Sequence, residues 1–173
     1  MMDRFEALDH LLTVFNRFYS VNKESPAEPF AAEAVFHLHN ENYFLLKSAK
    51  YAEQDSNEYV FFALAENLTP ESYKELEEKA WAEGLSRTEI KQNHRNSDVS
   101  LYILSEGISP ETIRMIKKTR LSKSYRFGFY GYSHFRVISY DPLSNRFVHN
   151  YMGDLLARTI KIAFPDALSQ QRC

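Results

Sequence analysis

The chain has 173 residues, 44% hydrophobic and 25% charged, with a net charge of −2. That balance describes one globular domain with a real core, excludes a disordered chain, and contains no apolar run long enough to span a membrane. The single cysteine, Cys173, excludes an internal disulfide and a cysteine zinc site. The first twenty residues carry Asp3, Glu6 and Asp9 and no basic-then-apolar signal, so a cytoplasmic protein is expected.

Residues 3–19 read as an amphipathic helix. Phe5, Leu8, Leu12, Phe15 and Tyr19 recur at three or four, and Asp3 with Glu6 makes a capping box. Prolines 26 and 29 mark a connector. A hairpin is expected next, with strands at 34–39 and 43–47 around a polar turn at 40–42.

A strand-turn-helix stretch then occurs twice, forty residues apart. Residues 64–72 return as 104–112, matching Glu66 with Glu106, Thr69 with Ser109, Pro70 with Pro110 and Glu71 with Glu111. The hydroxyl residue is an N-cap, the proline suits the first helical position, and the glutamate faces the positive end of the macrodipole. Strands run to Glu66 and over 99–103, and helices over 70–83 and to about 118. Two strands joined through helices in this way are parallel neighbours with right-handed crossovers. Glu66 and Glu106 then share the carboxyl edge of the sheet, where open α/β sheets bind ligands. Between the units, 86–97 reads as a long polar loop, mobile or functional.

Strands at 124–130 and 133–140 follow, turning near Gly131, then a turn at 141–145, a strand at 146–149 and a helix over 153–164 stopped by Pro165. The tail from 165 to 173 is expected to fray. The fold class is α+β: a single domain over 1–173, its mixed sheet combining two consecutive βα units with antiparallel hairpins, and helices at both ends.

The net charge hides a segregation. Positions 53–83 hold nine acids against Lys74 and Lys79, whereas 112–140 hold seven bases and no acid. Such a distribution steers an anionic partner to one face, or complements the acidic helix within the fold or in a second copy. Alternation along 125–137 puts Phe127, Phe129, Phe135 and Val137 on a core face, and Arg126, Tyr130, His134 and Arg136 on the other, with Lys123 beside them. Aromatics that stack and cations that neutralise phosphate suit single-stranded nucleic acid or another anionic ligand. This stretch resembles the ribonucleoprotein octapeptide of RRM domains at Phe127, Gly128, Phe129 and Tyr132, and departs from it at Tyr125, Arg126 and Tyr130.

Other chemistry is thinner. His37 and His39 project from one face of a strand at a spacing that metal sites use, with no acidic ligand fixed nearby. The element order over 3–106 resembles the core of PD-(D/E)xK nucleases, but the acid-x-Lys triplet is absent, leaving Glu66 and Glu106, with the two strand histidines, as the catalytic candidates. No Walker, Rossmann, nucleophile-elbow or HExxH motif occurs, and no cofactor is expected. The segments at 42–47, 58–61 and 123–129 are similar to those of a family of bacterial hypothetical proteins, a domain of unknown function, over most of 40–163. That resemblance implies a bacterial cytosolic protein.

The leading expectation is a non-catalytic binding or assembly module using the basic, tyrosine-rich face. Its candidate partners are a second copy in a homodimer, an anionic ligand or single-stranded nucleic acid, with no membrane. A nuclease-like, metal-dependent hydrolase is the enzymatic alternative.

Overall fold

The computed structural model describes residues 1–37, 55–90 and 94–170. Helix α1 (Arg4–Phe15) starts at Asp3, whose carboxylate accepts from the Phe5 and Glu6 amides while Glu6 reaches back to the Asp3 N–H. It stops at Phe15, short of the expected 19, and buries Ala7, Leu8, Leu11, Leu12 and Phe15. Phe5 instead faces solvent, and Tyr19 lies beyond the helix.

Strands β1 (Ser20–Asn22), β2 (Ala32–His37) and β3 (Asp55–Ala65) pair antiparallel in that order. The expected partner strand at 43–47 lies outside the described residues. Helix α2 (Pro70–Arg87) leads from β3 to the parallel β4 (His94–Ser105). Helix α3 (Pro110–Lys118) and a short β5 (Ser122–Ser124) lead on to β6 (Tyr132–Asp141), parallel to β4. The antiparallel β7 (Arg146–His149), α4 (Asp154–Ala163) and β8 (Leu168–Ser169) finish the fold. Among the described residues the sheet has eight strands, in the order β1-β2-β3-β4-β6-β7-β8 with β5 paired to β6. This is the expected α+β domain with two βα units.

The twin turns lie side by side. Leu68 and Ile108 form a parallel bridge, the Leu68 N–H donates to the Gly107 carbonyl at 2.8 Å, and Thr112 Oγ1 donates to the Leu68 carbonyl at 3.1 Å. Thr69 and Ser109 cap their helices as expected, accepting from the Ser72 and Thr112 amides.

Strand alternation divides the core in two. Val60, Phe62, Tyr102, Leu104, Ile138 and Tyr140 pack under α1 and α4. Tyr59, Phe61, Val99, Leu101, Phe135 and Val137 pack under α2 and α3, against Tyr73, Leu76, Ala80 and Ile116. Parallel strands covered on both faces are the central strands of the sheet. Each large side chain sealed there contributes about 1.5–3 kcal/mol.

Three expectations change. The polar loop at 86–97 shrinks from both ends. Arg87 extends α2, held by Glu83 at 2.9 Å and by Glu33 at 3.0 Å, and β4 begins at His94 because it pairs with β3. Part of the tail is held against the fold. Phe164 and Ala167 are buried, and β8 pairs with β7. The strand expected at 124–130 is not formed: β5 ends at Ser124 and a turn follows, for reasons that belong to the site.

Candidate functional site

Residues 134 and 136 of β6 point to the α1/α4 side of the sheet, near the amino ends of the parallel strands. There Arg136 donates to Asp98 of β4 at 2.7 Å, and its other terminal nitrogen lies 3.9 Å from Glu58 of β3. Ser100 donates to Glu58 at 2.7 Å, and the Tyr19 hydroxyl donates to its second oxygen at 2.5 Å. His134 Nδ1 is 3.6 Å from Asp98, and Tyr132 stacks on the imidazole with ring centroids 6.2 Å apart. Burial first, and then the Glu58 carboxylate, push the Tyr19 hydroxyl far up, so it stays a donor. The same two causes raise Tyr102.

Two carboxylates therefore enclose one guanidinium, whose side chain is only 15% exposed. Arg136, expected on the ligand-binding face, is thus engaged by carboxylates within the fold. Its Nε is buried without a hydrogen-bond partner, so the pair geometry, not full satisfaction, fixes the side chain. Burying three charges for stability alone is poor economy, since an apolar replacement of the same shape is often as stable.

The neighbouring turn is the second part of the site. β5 pairs with the first residues of β6, with Lys123 opposite Ser133. Tyr125 is then buried, its hydroxyl 2.9 Å from Ser133 Oγ. The Tyr125 carbonyl accepts from the Gly128 and Tyr130 amides, and its N–H donates to Gly131. Arg126 and Phe127 take left-handed φ values of 46° and 56°, and Gly128 follows at 89°. A Cβ on Gly128 would meet the Tyr132 hydroxyl at 2.2 Å, and its φ of 89° is one that glycine adopts without strain.

The consequence splits the expected core face: Phe135 and Val137 are buried in the core as expected, but the two turn phenylalanines are not. Phe127 and Phe129 are 99% and 84% exposed. The expected basic face is also divided. Lys123 shares a sheet side with Ser133, opposite to His134 and Arg136, and Arg126 sits 5.0 Å over the Tyr130 ring. Lys123 approaches Tyr125 at 5.7 Å and Arg120 approaches Tyr151 at 4.8 Å. Among the described residues, the acid-free stretch forms ion pairs only through His134 and Arg136. Among the described residues it forms no ion pair with the acidic α2.

The other candidates separate. Glu66 and Glu106 share the carboxyl edge as expected, with Glu66 exposed. Glu106, however, accepts from the Arg4 N–H at 3.1 Å and pairs with the Arg4 guanidinium at 2.6 Å, fastening α1. The His37 backbone opposes Asn57, at the far end of β3 from Glu66; His39 lies outside the described residues. Among the described residues no three His, Cys, Asp or Glu side chains are placed to hold a metal.

Tyr19, Glu58 and Asp98 were not singled out by sequence reasoning, although a signal existed. Asp98 follows Glu58 by the same forty residues that separate Glu106 from Glu66, and the two are direct partners in the β3/β4 register.

A family described as "Domain of unknown function (DUF8052)" matches residues 3–162. The chain belongs to this family. The DUF8052 match takes in α1, the parallel strands β3, β4 and β6 and the aromatic turn, and so extends well before the 40–163 of the expected resemblance. No curated protein and no solved structure matches the chain. Among the described residues of this DUF8052 domain, no helix is long and apolar enough to cross a membrane.

Proposed function

We propose that the domain is a non-catalytic binding module whose contact surface is the turn at 125–131 with its flanking cations. One observation carries the reading: a hydrogen-bonded turn with consecutive left-handed residues holds Phe127 and Phe129 out in solvent. Left-handed φ at a non-glycine residue is disfavoured, and such strain collects at functional positions. Two bare phenylalanines on a fixed turn have the character of interface anchors. In this reading Arg126, Lys123 and Tyr130 contact the ligand, while Arg136 and His134 hold the platform through Asp98. The same reading keeps the protein in the bacterial cytoplasm, as its family resemblance and composition imply.

A second reading, self-association, draws on the charge segregation. The carboxylates of Glu71, Glu75 and Glu78 lie on the exposed side of α2 and, among the described residues, form no ion pair with a base of the 112–140 stretch. A two-fold pairing would set them against the cations of the partner copy. A nuclease-like site gains nothing from the geometry, since Glu106 is engaged by Arg4.

The test is backbone-amide NMR of the whole chain, titrated separately with polyglutamate and with oligothymidine, with light scattering on the same samples. Support is a perturbation centred on 120–132, or a dimer mass, that F127A/F129A and Arg126→Glu each reverse. If those variants leave the mass and every affinity unchanged, the contact surface lies elsewhere and the proposal fails.

A further inference from the structure

The cations of this edge are arranged along a line. Asn150 N–H donates to the Val137 carbonyl and its Nδ2 donates to the Phe135 and Thr119 carbonyls. Arg120 and Tyr151, next in sequence to Thr119 and Asn150, therefore sit level with the middle of β6. Lys123 and Tyr125 come next, with Lys123 opposite Ser133. Arg126, Tyr130 and the two exposed phenylalanines follow beyond Tyr132. From Val137 to Tyr132 is about 17 Å at roughly 3.3 Å per strand residue.

Each cation on this line lies over an aromatic ring, and none of the three pairs with a carboxylate among the described residues. We infer that the ligand of this edge is single-stranded nucleic acid, an inference that rests on the binding-module reading above. Phosphates meet Arg120, Lys123 and Arg126, and unstacked bases lie on Phe127, Phe129, Tyr130 and Tyr151. The alternatives use only half of the surface. An acidic helix from a second copy would satisfy the cations and leave the two phenylalanines in water, and an apolar partner would strand the cations. A duplex keeps its bases stacked on one another and cannot cover the rings.

The experiment is fluorescence anisotropy of the full chain with a labelled oligothymidine of about 12 nucleotides, a length within ordinary single-strand site sizes. Three phosphate contacts give a salt slope of about −2, so affinity should fall roughly twentyfold between about 50 and about 200 mM salt. R120A/K123A/R126A should flatten that slope. F127A/F129A should weaken binding at least about tenfold and leave the slope unchanged, because base stacking carries no counterions.

Polyglutamate of matched charge is the control. If it competes as well as oligothymidine, or if wild type forms a dimer that F127A/F129A dissolves while no oligonucleotide binds, the nucleic-acid inference falls and the module reading stands. If oligothymidine binds equally to wild type and F127A/F129A, both fall.

Discussion

Replacing Arg136 with methionine tests the buried charge cluster. It removes the cation that faces Asp98 at 2.7 Å and Glu58 at 3.9 Å, and both carboxylates are less than one-fifth exposed. Glu58 and Asp98 are direct cross-strand partners, a placement in which like charges repel. Breaking a buried ion pair costs about 3–5 kcal/mol, and this partly wetted site belongs near 3. For a chain of this length that is a loss of roughly 6–12 °C in Tm. Adding Asp98→Asn removes one stranded charge and should recover about half of the loss. The assay is urea unfolding of the two single variants and the double variant at neutral pH. The account requires non-additivity of about 1 kcal/mol or more. Single effects that sum to the double within about 0.5 kcal/mol would refute it.

Asn150→Ala should be as damaging without touching a charge. The side chain is 1% exposed and bonds the Val137 amide and the Thr119 and Phe135 carbonyls. Leaving those groups unpaired costs about 3 kcal/mol, measurable by the same unfolding assay. Gly84→Ala places a methyl 2.3 Å from Val99 Cγ2 in the sealed α2/β4 contact. Overpacking of about 1–3 kcal/mol outweighs the helix-propensity gain of roughly 1, so a thermal melt should show net destabilisation. Glu33 sets a pH dependence. Burial would raise its carboxyl, but hydrogen bonds from Arg87, the Ala27 amide and Asn22, with the Arg87 charge, hold it below its ordinary value of 4.5. A lowered folded value stabilises above 4.5 and loses that contribution as pH falls through the folded value. Tm against pH should therefore drop less steeply on the acid side for Glu33→Gln than for wild type.

What could be read from the sequence follows from how local the physics is. The caps at Asp3, Thr69 and Ser109 are satisfied within three residues, so their helices start where expected. The forty-residue repeat orders β3, α2, β4 and α3 because its turn chemistry is written twice. The amino half of β4 was hidden, because a run as polar as 94–98 becomes strand only by pairing with β3. The aromatic turn was misread for a related reason. Period-two alternation of Phe127 and Phe129 looks the same whether or not the strand continues. What ends it is Tyr125 anchored on Ser133 and Gly128 closing on Tyr132. The charge cluster was half legible: Arg136 and His134 share a face as alternation requires, but their partners come from β3 and β4.

The central claim is that Phe127 and Phe129 are exposed for contact, not for stability. Thermal melting and oligothymidine anisotropy on the same preparations of wild type and F127A/F129A test it most directly. The account predicts a Tm within about 2 °C of wild type, as for surface substitutions, and an affinity at least about tenfold weaker. A Tm lowered by many degrees with unchanged affinity would contradict it, and would make the two rings part of the fold.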